Sequence, residues 1–381
     1  MKSKEKRFDF GFLLIVLGLI AFGLVMVFSA SSESARVNYG DALYFIKRQT
    51  VWAVFSIAAM LITSRFDYRN YRKLSKAVMG LSILLLIMVL AVGSESNGGK
   101  RWLDFKVISF QPSELAKLAV ILFFANGLSR GKKQLESFTT GFLPYMGVLG
   151  VIALLLLLEP HMSATVVIVA IGMAILFAGG AKIRHIMTVV AGGVAAGVAL
   201  IIYEPYRLSR VTAFIDPFKD KLGDGWQIIQ SLYAIGSGGL FGTGLGRSRQ
   251  KFLYIPEPHN DFIFAILCEE LGFIGAASVI LLFGLLIYKC VMIAINAPDT
   301  FGSLVATGIT ALIAVETIIN IAVVTSSMPV TGMALPFFSY GGTSLLMHSF
   351  AMGIMLNISR HTAKPAGSEI RKKRSKQSLA K

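Results

Sequence analysis

Apolar stretches of about 17 to 25 residues recur from one end of this chain to the other, the length a helix needs to cross a hydrocarbon layer roughly 30 Å thick. Ten such windows can be drawn, at 10–30, 46–63, 75–93, 112–128, 141–159, 163–180, 185–203, 262–288, 301–325 and 336–358. A segment in lipid must satisfy its backbone groups internally, so these windows can fold only as helices. The expectation is an all-α, polytopic membrane protein: one integral domain over 1–381 with about ten transmembrane helices, a large extracytoplasmic loop at about 204–260 and a basic tail at about 359–381. Hydrophobic residues make up 55% of the chain, above the roughly 45 to 50% of globular proteins, which excludes a soluble fold. No repeat period is evident.

The first window follows Lys2, Lys4, Lys6 and Arg7, as a secretory signal would, but its apolar part is about 18 residues long where a signal's runs roughly 7 to 15. It reads as a retained first span. A net charge of +16 would suit nucleic acid if gathered in one basic domain, yet lysine and arginine are scattered through short loops and tails. No nucleic-acid partner is expected. With the amino terminus inside, the basic residues on that side outnumber those opposite, whose largest share falls in the long loop, where the positive-inside rule has little force. Both termini are therefore expected in the cytoplasm, and the tail around 371–374 reads as a solvated end drawn to anionic lipid. Cys268 and Cys290 lie in or at the end of one apolar run, too far apart along a helix to pair.

Polar residues within or beside such windows are paired or functional. At the head of the fourth window, Gln111-Pro112-Ser113-Glu114 leads to Lys117; Pro112 suits a first helical turn, and Glu114 and Lys117 share a face. They read as an ion pair, with Lys117 either snorkelling outward or facing a polar cavity. Just before, Gly98-Gly99-Lys100-Arg101-Trp102 sets two cations and an interfacial aromatic on a turn, suited to a phosphate or to anchoring among headgroups. In the long loop Arg207 and Arg210 stand three apart, and the glycine-rich run 236–246 leads into Arg247, Arg249 and Lys251. No strand precedes those glycines, so a dinucleotide fold is excluded; an anion-binding or a re-entrant packing segment remains. Glu257, His259 and Asp261 stand where this loop becomes the eighth window, and Asp261 there is either an N-cap or a carboxylate meeting water and lipid together. Glu269, Glu270, Glu316 and Asn320 lie inside apolar windows, and the segments 329–332 and 335–344, with Ser339, point to broken backbone around a cavity.

Taken in order, these segments resemble the shape, elongation, division and sporulation family of bacteria, the FtsW, RodA and SpoVE proteins, over about 10–360. The resemblance rests on Gln111-Pro-Ser-Glu114 with Lys117, Trp226-Gln-Ile-Ile-Gln-Ser231, Gly244-Leu-Gly-Arg-Ser-Arg-Gln-Lys251, Pro256-Glu257 followed by Asp261-Phe-Ile-Phe-Ala265, and Pro329-Val-Thr-Gly332 with Ser339-Tyr-Gly-Gly342. Its wording is nearer the division and sporulation branch than the elongation branch. It implies a ten-span peptidoglycan glycosyltransferase of the bacterial cytoplasmic membrane, which joins lipid II units on the outer face and works with a class B penicillin-binding protein and other divisome or sporulation membrane proteins.

By the same resemblance Asp261 matches the family's essential aspartate and becomes the general base. It would take a proton from an acceptor sugar hydroxyl as undecaprenyl pyrophosphate leaves the donor, with inversion. Glu114 and Lys117 match a polar pair in the family's cavity; Arg101, Trp102, Gln111, Ser113, Arg207, Arg210, Glu257, His259 and Ser339 complete the substrate-binding candidates. No metal ligand is assigned, although a divalent cation, Mg or Mn, would suit a departing pyrophosphate. One turn departs from the pattern: where many relatives carry an acidic residue and a glycine after proline, this chain reads Glu159-Pro160-His161. Two other functions remain: a lipid II flippase, which needs polar residues through the full membrane depth, and a non-catalytic divisome scaffold, for which Asp261 would be dispensable.

Overall fold

The computed structural model describes residues 9–362 except 97–98, 105–108, 131–134, 136, 204, 222, 224 and 253, so the basic tail beyond 362 lies outside the described residues. Among the described residues twelve α-helices follow in order: α1 (Phe10–Tyr39), α2 (Tyr44–Arg65), α3 (Tyr71–Val92), α4 (Pro112–Leu128), α5 (Leu143–Leu158), α6 (Met162–Ala178), α7 (Ile183–Tyr203), α8 (Pro205–Ile215), α9 (Trp226–Gly238), α10 (Ile263–Ile295), α11 (Thr300–Val324) and α12 (Gly342–His361). Between α3 and α4 lies a small antiparallel ribbon of β1 (Ser94–Ser96), β2 (Gly99–Asp104) and β3 (Ser109–Phe110), in that order.

Each of the ten sequence windows falls on a helix, and among the described residues seven helical stretches are long and apolar enough to cross a bilayer. This is a multi-pass membrane protein. Large apolar side chains such as Phe55, Ile62, Leu84 and Leu281 stay exposed, as the lipid-facing sides of such helices require, while Phe12, Phe124, Phe283 and Phe338 are fully buried. Helix α11 lies at the centre, packed against α4, α6, α10 and α12, with α2 laid along α12 and α1 against α10.

Three features go beyond the sequence windows. First, α1 continues to Tyr39, beyond the window ending at 30, because Ser29, Ser31, Ser34 and Ala35 turn their small side chains into the protein. Second, the segment 204–260 is not simply a loop, since it contains α8 and α9. Third, α10 is broken at Gly272, whose φ of 65° and ψ of −167° no helix contains.

That break accounts for the glycine run. The N–H groups of Thr243 and Gly244 donate to the carbonyls of Glu269 (2.9 Å) and Glu270 (3.0 Å), and those of Phe273 and Ile274 donate to Gly239 (2.8 Å) and Leu240 (3.2 Å). Backbone from outside the helix thus replaces the interrupted ladder. A Cβ on Gly272 would stand 2.3 Å from the Gly242 nitrogen, and one on Gly238 would stand 2.0 Å from the Cys268 carbonyl. Glycine is needed for close approach at Gly238, Gly242 and Gly272, so this part of the run packs against the broken helix. The loop that follows holds two protein carboxylates: Glu269 accepts from Arg249 N–H (2.8 Å) and the Ser248 hydroxyl (2.5 Å), and Glu270 accepts from Ser29 (2.6 Å) with buried Lys251 at 3.5 Å.

Candidate functional site

Asp261 stands two residues before α10 and does not cap the helix. The N-cap is Phe262, with no side-chain cap bond, and Asn260 turns its amide onto Glu257 at 2.7 Å. What the backbone does here is more telling. Three successive carbonyls are held by three separate donors: His259 by Tyr340 N–H (2.9 Å), Asn260 by the Ser339 hydroxyl (2.7 Å), and Asp261 by the Asn320 amide (2.9 Å). Asn320 also donates to the Met333 carbonyl at 2.6 Å, which draws Gly332 in until a Cβ there would lie 3.3 Å from Asp261 Oδ2.

The Asp261 carboxylate itself is half-buried and accepts no hydrogen bond among the described residues. Burial pushes its carboxyl up to about 6, the charge of Glu257 adds to that, and the charges of Arg210 and Arg101 oppose it. Arg210 is braced on the Val330 carbonyl at 3.1 Å, and Arg101 on the Pro160 carbonyl at 2.6 Å. A cleft of about 300 Å³ opens beside Arg210, which lines it with Gly223, Trp226, Gln227, Ile228, Pro256 and Val330. An unbonded carboxylate that feels the charges of two guanidinium groups can take up a proton from one ligand group while the cations hold an anionic one.

Deeper in the protein, Lys117 is buried with its Nζ 2.6 Å from Glu114 and 2.5 Å from Glu316. Glu316 in turn accepts from His348 Nε2 at 2.6 Å, and His348 Nδ1 lies 2.7 Å from the Ser344 carbonyl. The snorkelling alternative for Lys117 is thereby excluded: the ammonium is inside, between two carboxylates. Glu114 keeps one carboxylate oxygen without a partner, as does the neighbouring Ser113 hydroxyl, both buried.

The remaining candidates divide. Glu257 stands exposed at the turn with φ of 46°, held by its contact with Asn260. Ser339 spends its hydroxyl on Asn260 and on the Leu335 N–H, 2.8 Å away, so it fixes the turn that carries Asp261. His259 is buried against Phe45, with ring centroids 4.2 Å apart, and Tyr340, and burial pushes its imidazole down to about 4; it packs the turn from behind. Trp102 is half-buried on β2 beside Arg101, and Gln111 is half-buried as the N-cap of α4 without a side-chain cap bond. The side chain of Arg207 lies outside the described residues.

One group escaped the sequence reading, and another belongs to the departing turn, for which it offered no role. His348 is an ionisable residue in the middle of an apolar window, and that was its signal. Glu159 is buried at the end of α5 with both carboxylate oxygens unpartnered; burial pushes it up to about 8 although Arg101 pulls the other way. Beside it His161 has an unpartnered Nδ1 and is pushed down to about 3 by burial, then by the charges of Arg101 and Lys117.

Known proteins share this arrangement of chain. The FtsW, RodA and SpoVE family, described as cell cycle protein, matches residues 11–364. Stage V sporulation protein E of Bacillus subtilis (strain 168) is 44% identical over 364 residues, 95% of this chain and 100% of that one. The probable peptidoglycan glycosyltransferase FtsW of Trichlorobacter lovleyi is 43% identical over 355 residues, 93% of each. Among solved structures, a chain of a peptidoglycan synthase complex, solved for its structural coordination of polymerization and crosslinking, superposes with a TM-score of 0.78 at 28% identity, covering 93% of this chain and 98% of that one. The rod shape determining protein RodA of Thermus thermophilus gives 0.69 at 27% identity, covering 94% and 98%.

Proposed function

The chain belongs to the FtsW, RodA and SpoVE family of cell cycle proteins, and from that premise we propose that the Asp261 site joins lipid II units into glycan strands. The protein is a peptidoglycan glycosyltransferase. In the orientation that the basic residues favour, with both termini cytoplasmic, Asp261 and the 300 Å³ cleft face the outer side of the bacterial cytoplasmic membrane.

The observation that carries the mechanism is the Asp261 carboxylate: tethered through its backbone, unbonded at its oxygens among the described residues, and in the field of Arg101 and Arg210. It takes the proton from the 4-hydroxyl of the acceptor's terminal GlcNAc as that oxygen bonds to the anomeric carbon of the donor. The bond from that carbon to undecaprenyl pyrophosphate breaks, configuration inverts, and the proton leaves Asp261 for water. With its carboxyl at about 6, Asp261 is mostly ionised at pH 7 yet basic enough to accept the proton. Arg101 and Arg210 meet the charge gathering on the pyrophosphate. Among the described residues no group of three or more His, Cys, Asp or Glu side chains could hold a metal ion, so a divalent cation would take most of its ligands from phosphate and water, with Asp261 and Glu257 the carboxylates nearest to hand.

A class B penicillin-binding protein is the expected partner, crosslinking the strands made here, in division or sporulation. The buried Glu114–Lys117–Glu316–His348 chain is what a lipid flippase would also want, and one experiment separates the readings. Labelled lipid II is supplied to purified protein, alone and with that partner, for wild type and Asp261→Asn. Ladders from wild type and none from a folded Asp261→Asn are expected; equal ladders from both would remove Asp261 from the mechanism, and lipid movement in vesicles without ladders would favour transport.

A further inference from the structure

The end of the molecule opposite Asp261 holds a second cleft of about 280 Å³, lined by Arg69, Arg72, Ser129, Asp299, Thr300 and Phe301. It forms where the short turn Tyr68–Asn70, the start of α3, the end of α4 and the start of α11 converge. Helix α11 links the two ends: Thr300 borders this cleft, and Asn320, which holds the Asp261 carbonyl, comes roughly 30 Å further along the helix.

The charges in the cleft do not balance. Asp299 is occupied: Oδ1 accepts the Gly302 N–H at 2.8 Å, and Oδ2 accepts the Tyr68 hydroxyl and, at 3.4 Å, Arg69 Nε. Its charge, with that of Asp67 on the same turn, faces Arg69. Arg72 has no acid partner among the described residues, its contact being the neutral Asn126 amide oxygen 3.3 Å from Nε. Both arginines are exposed, Arg65, Lys73 and Lys76 add exposed positive charge on the same stretch, and the apolar Phe66 and Leu74 beside them are exposed as well. Guanidinium groups next to lipid-facing apolar side chains stand at the level of the headgroups.

We propose that this cleft binds a phosphate group, that of an anionic phospholipid in the leaflet at this end of the protein. A guanidinium fork matches two phosphate oxygens at once, and Arg72 has the uncompensated charge to offer. A headgroup seated there would steady the junction of α3, α4 and α11. A free phosphate ion would meet the same groups, so the two sources must be told apart.

The full chain, purified in a neutral detergent, is titrated with short-chain phosphatidylglycerol, short-chain phosphatidylcholine or inorganic phosphate, and retention is read by native mass spectrometry with the melting temperature alongside. Wild type is expected to retain phosphatidylglycerol over phosphatidylcholine and to melt higher with it. Arg72→Gln should lose roughly tenfold or more of that retention, as loss of a charge-assisted contact implies, whereas Lys76→Gln, outside the lining, should match wild type. Arg69→Gln, which leaves Arg72 on Asn126, is the second variant should Arg72→Gln fold poorly. An Arg72-dependent shift with inorganic phosphate but none with phosphatidylglycerol would keep the phosphate site and overturn its lipid source. Equal retention by wild type and both arginine variants, or equal retention of the two lipids by wild type, would overturn the site.

Discussion

The acid limb of the pH–rate profile is where the Asp261 assignment is most exposed to refutation. A general base must be ionised, and burial with the Glu257 charge holds this carboxyl at about 6 instead of the ordinary 3.8. The sign follows directly: raising the pKa extends the protonated, inactive form to higher pH, so activity is full above the shifted value and falls as pH drops through it. At pH 5 about a tenth of the molecules keep the carboxylate, whereas an ordinary aspartate would keep about nine tenths. Between pH 7 and pH 5 kcat/KM should therefore fall roughly tenfold. Two variants move the limb in opposite directions: Glu257→Gln removes a like charge and shifts the midpoint down, and Arg210→Gln removes an opposing one and shifts it up. The assay is the initial rate of glycan formation from labelled lipid II over about pH 4.5 to 8, with melting temperatures confirming that each variant stays folded. A midpoint near the ordinary aspartate value, or a Glu257→Gln variant whose midpoint rises, would refute the reasoning.

Other substitutions test the supports around this group. Gly332→Ala forces a side chain into φ of +71° and sets its Cβ 3.3 Å from Asp261 Oδ2; about 1 to 2 kcal/mol of strain and a fall in kcat larger than any change in KM are expected from steady-state kinetics. Lys117→Met leaves Glu114 and Glu316 buried without their common cation and should cost about 3 to 5 kcal/mol in denaturant unfolding; a change below about 1 kcal/mol would mean that the pair is not buried as described. Gly272→Ala drives a Cβ against the Gly242 nitrogen, and the folded yield from membranes should drop severely while Gly284→Ala, with open space around it, stays near wild type.

The membrane-crossing body was legible because lipid imposes one backbone solution and one length, and the fourth window matched α4 end to end once Pro112 marked its first turn. What escaped has specific causes. Helices α8 and α9 are short and amphipathic, so they carry no spanning signal and read as loop. The break in α10 depends on a loop some thirty residues upstream, which no local pattern at Gly272 announces. Within the site, Glu114 and Lys117 share a helix face and could be paired by spacing, but Glu316 and His348 reach the same cluster from distant helices. His259 and Ser339 stand in the right motifs and still serve the turn, because a motif fixes neighbourhood and not the direction of a side chain.

The three tethered carbonyls at His259, Asn260 and Asp261 have a thermodynamic corollary. Every backbone acceptor of that short stretch is satisfied by the fold, while the Asp261 carboxylate is kept half-buried with no hydrogen bond of its own among the described residues. A protein organised only for stability would not leave it so. Asp261→Asn, which removes the charge and keeps the shape, should therefore melt at a higher temperature than the active enzyme, the difference measuring how far the fold is held from its own optimum to keep an acceptor waiting for substrate.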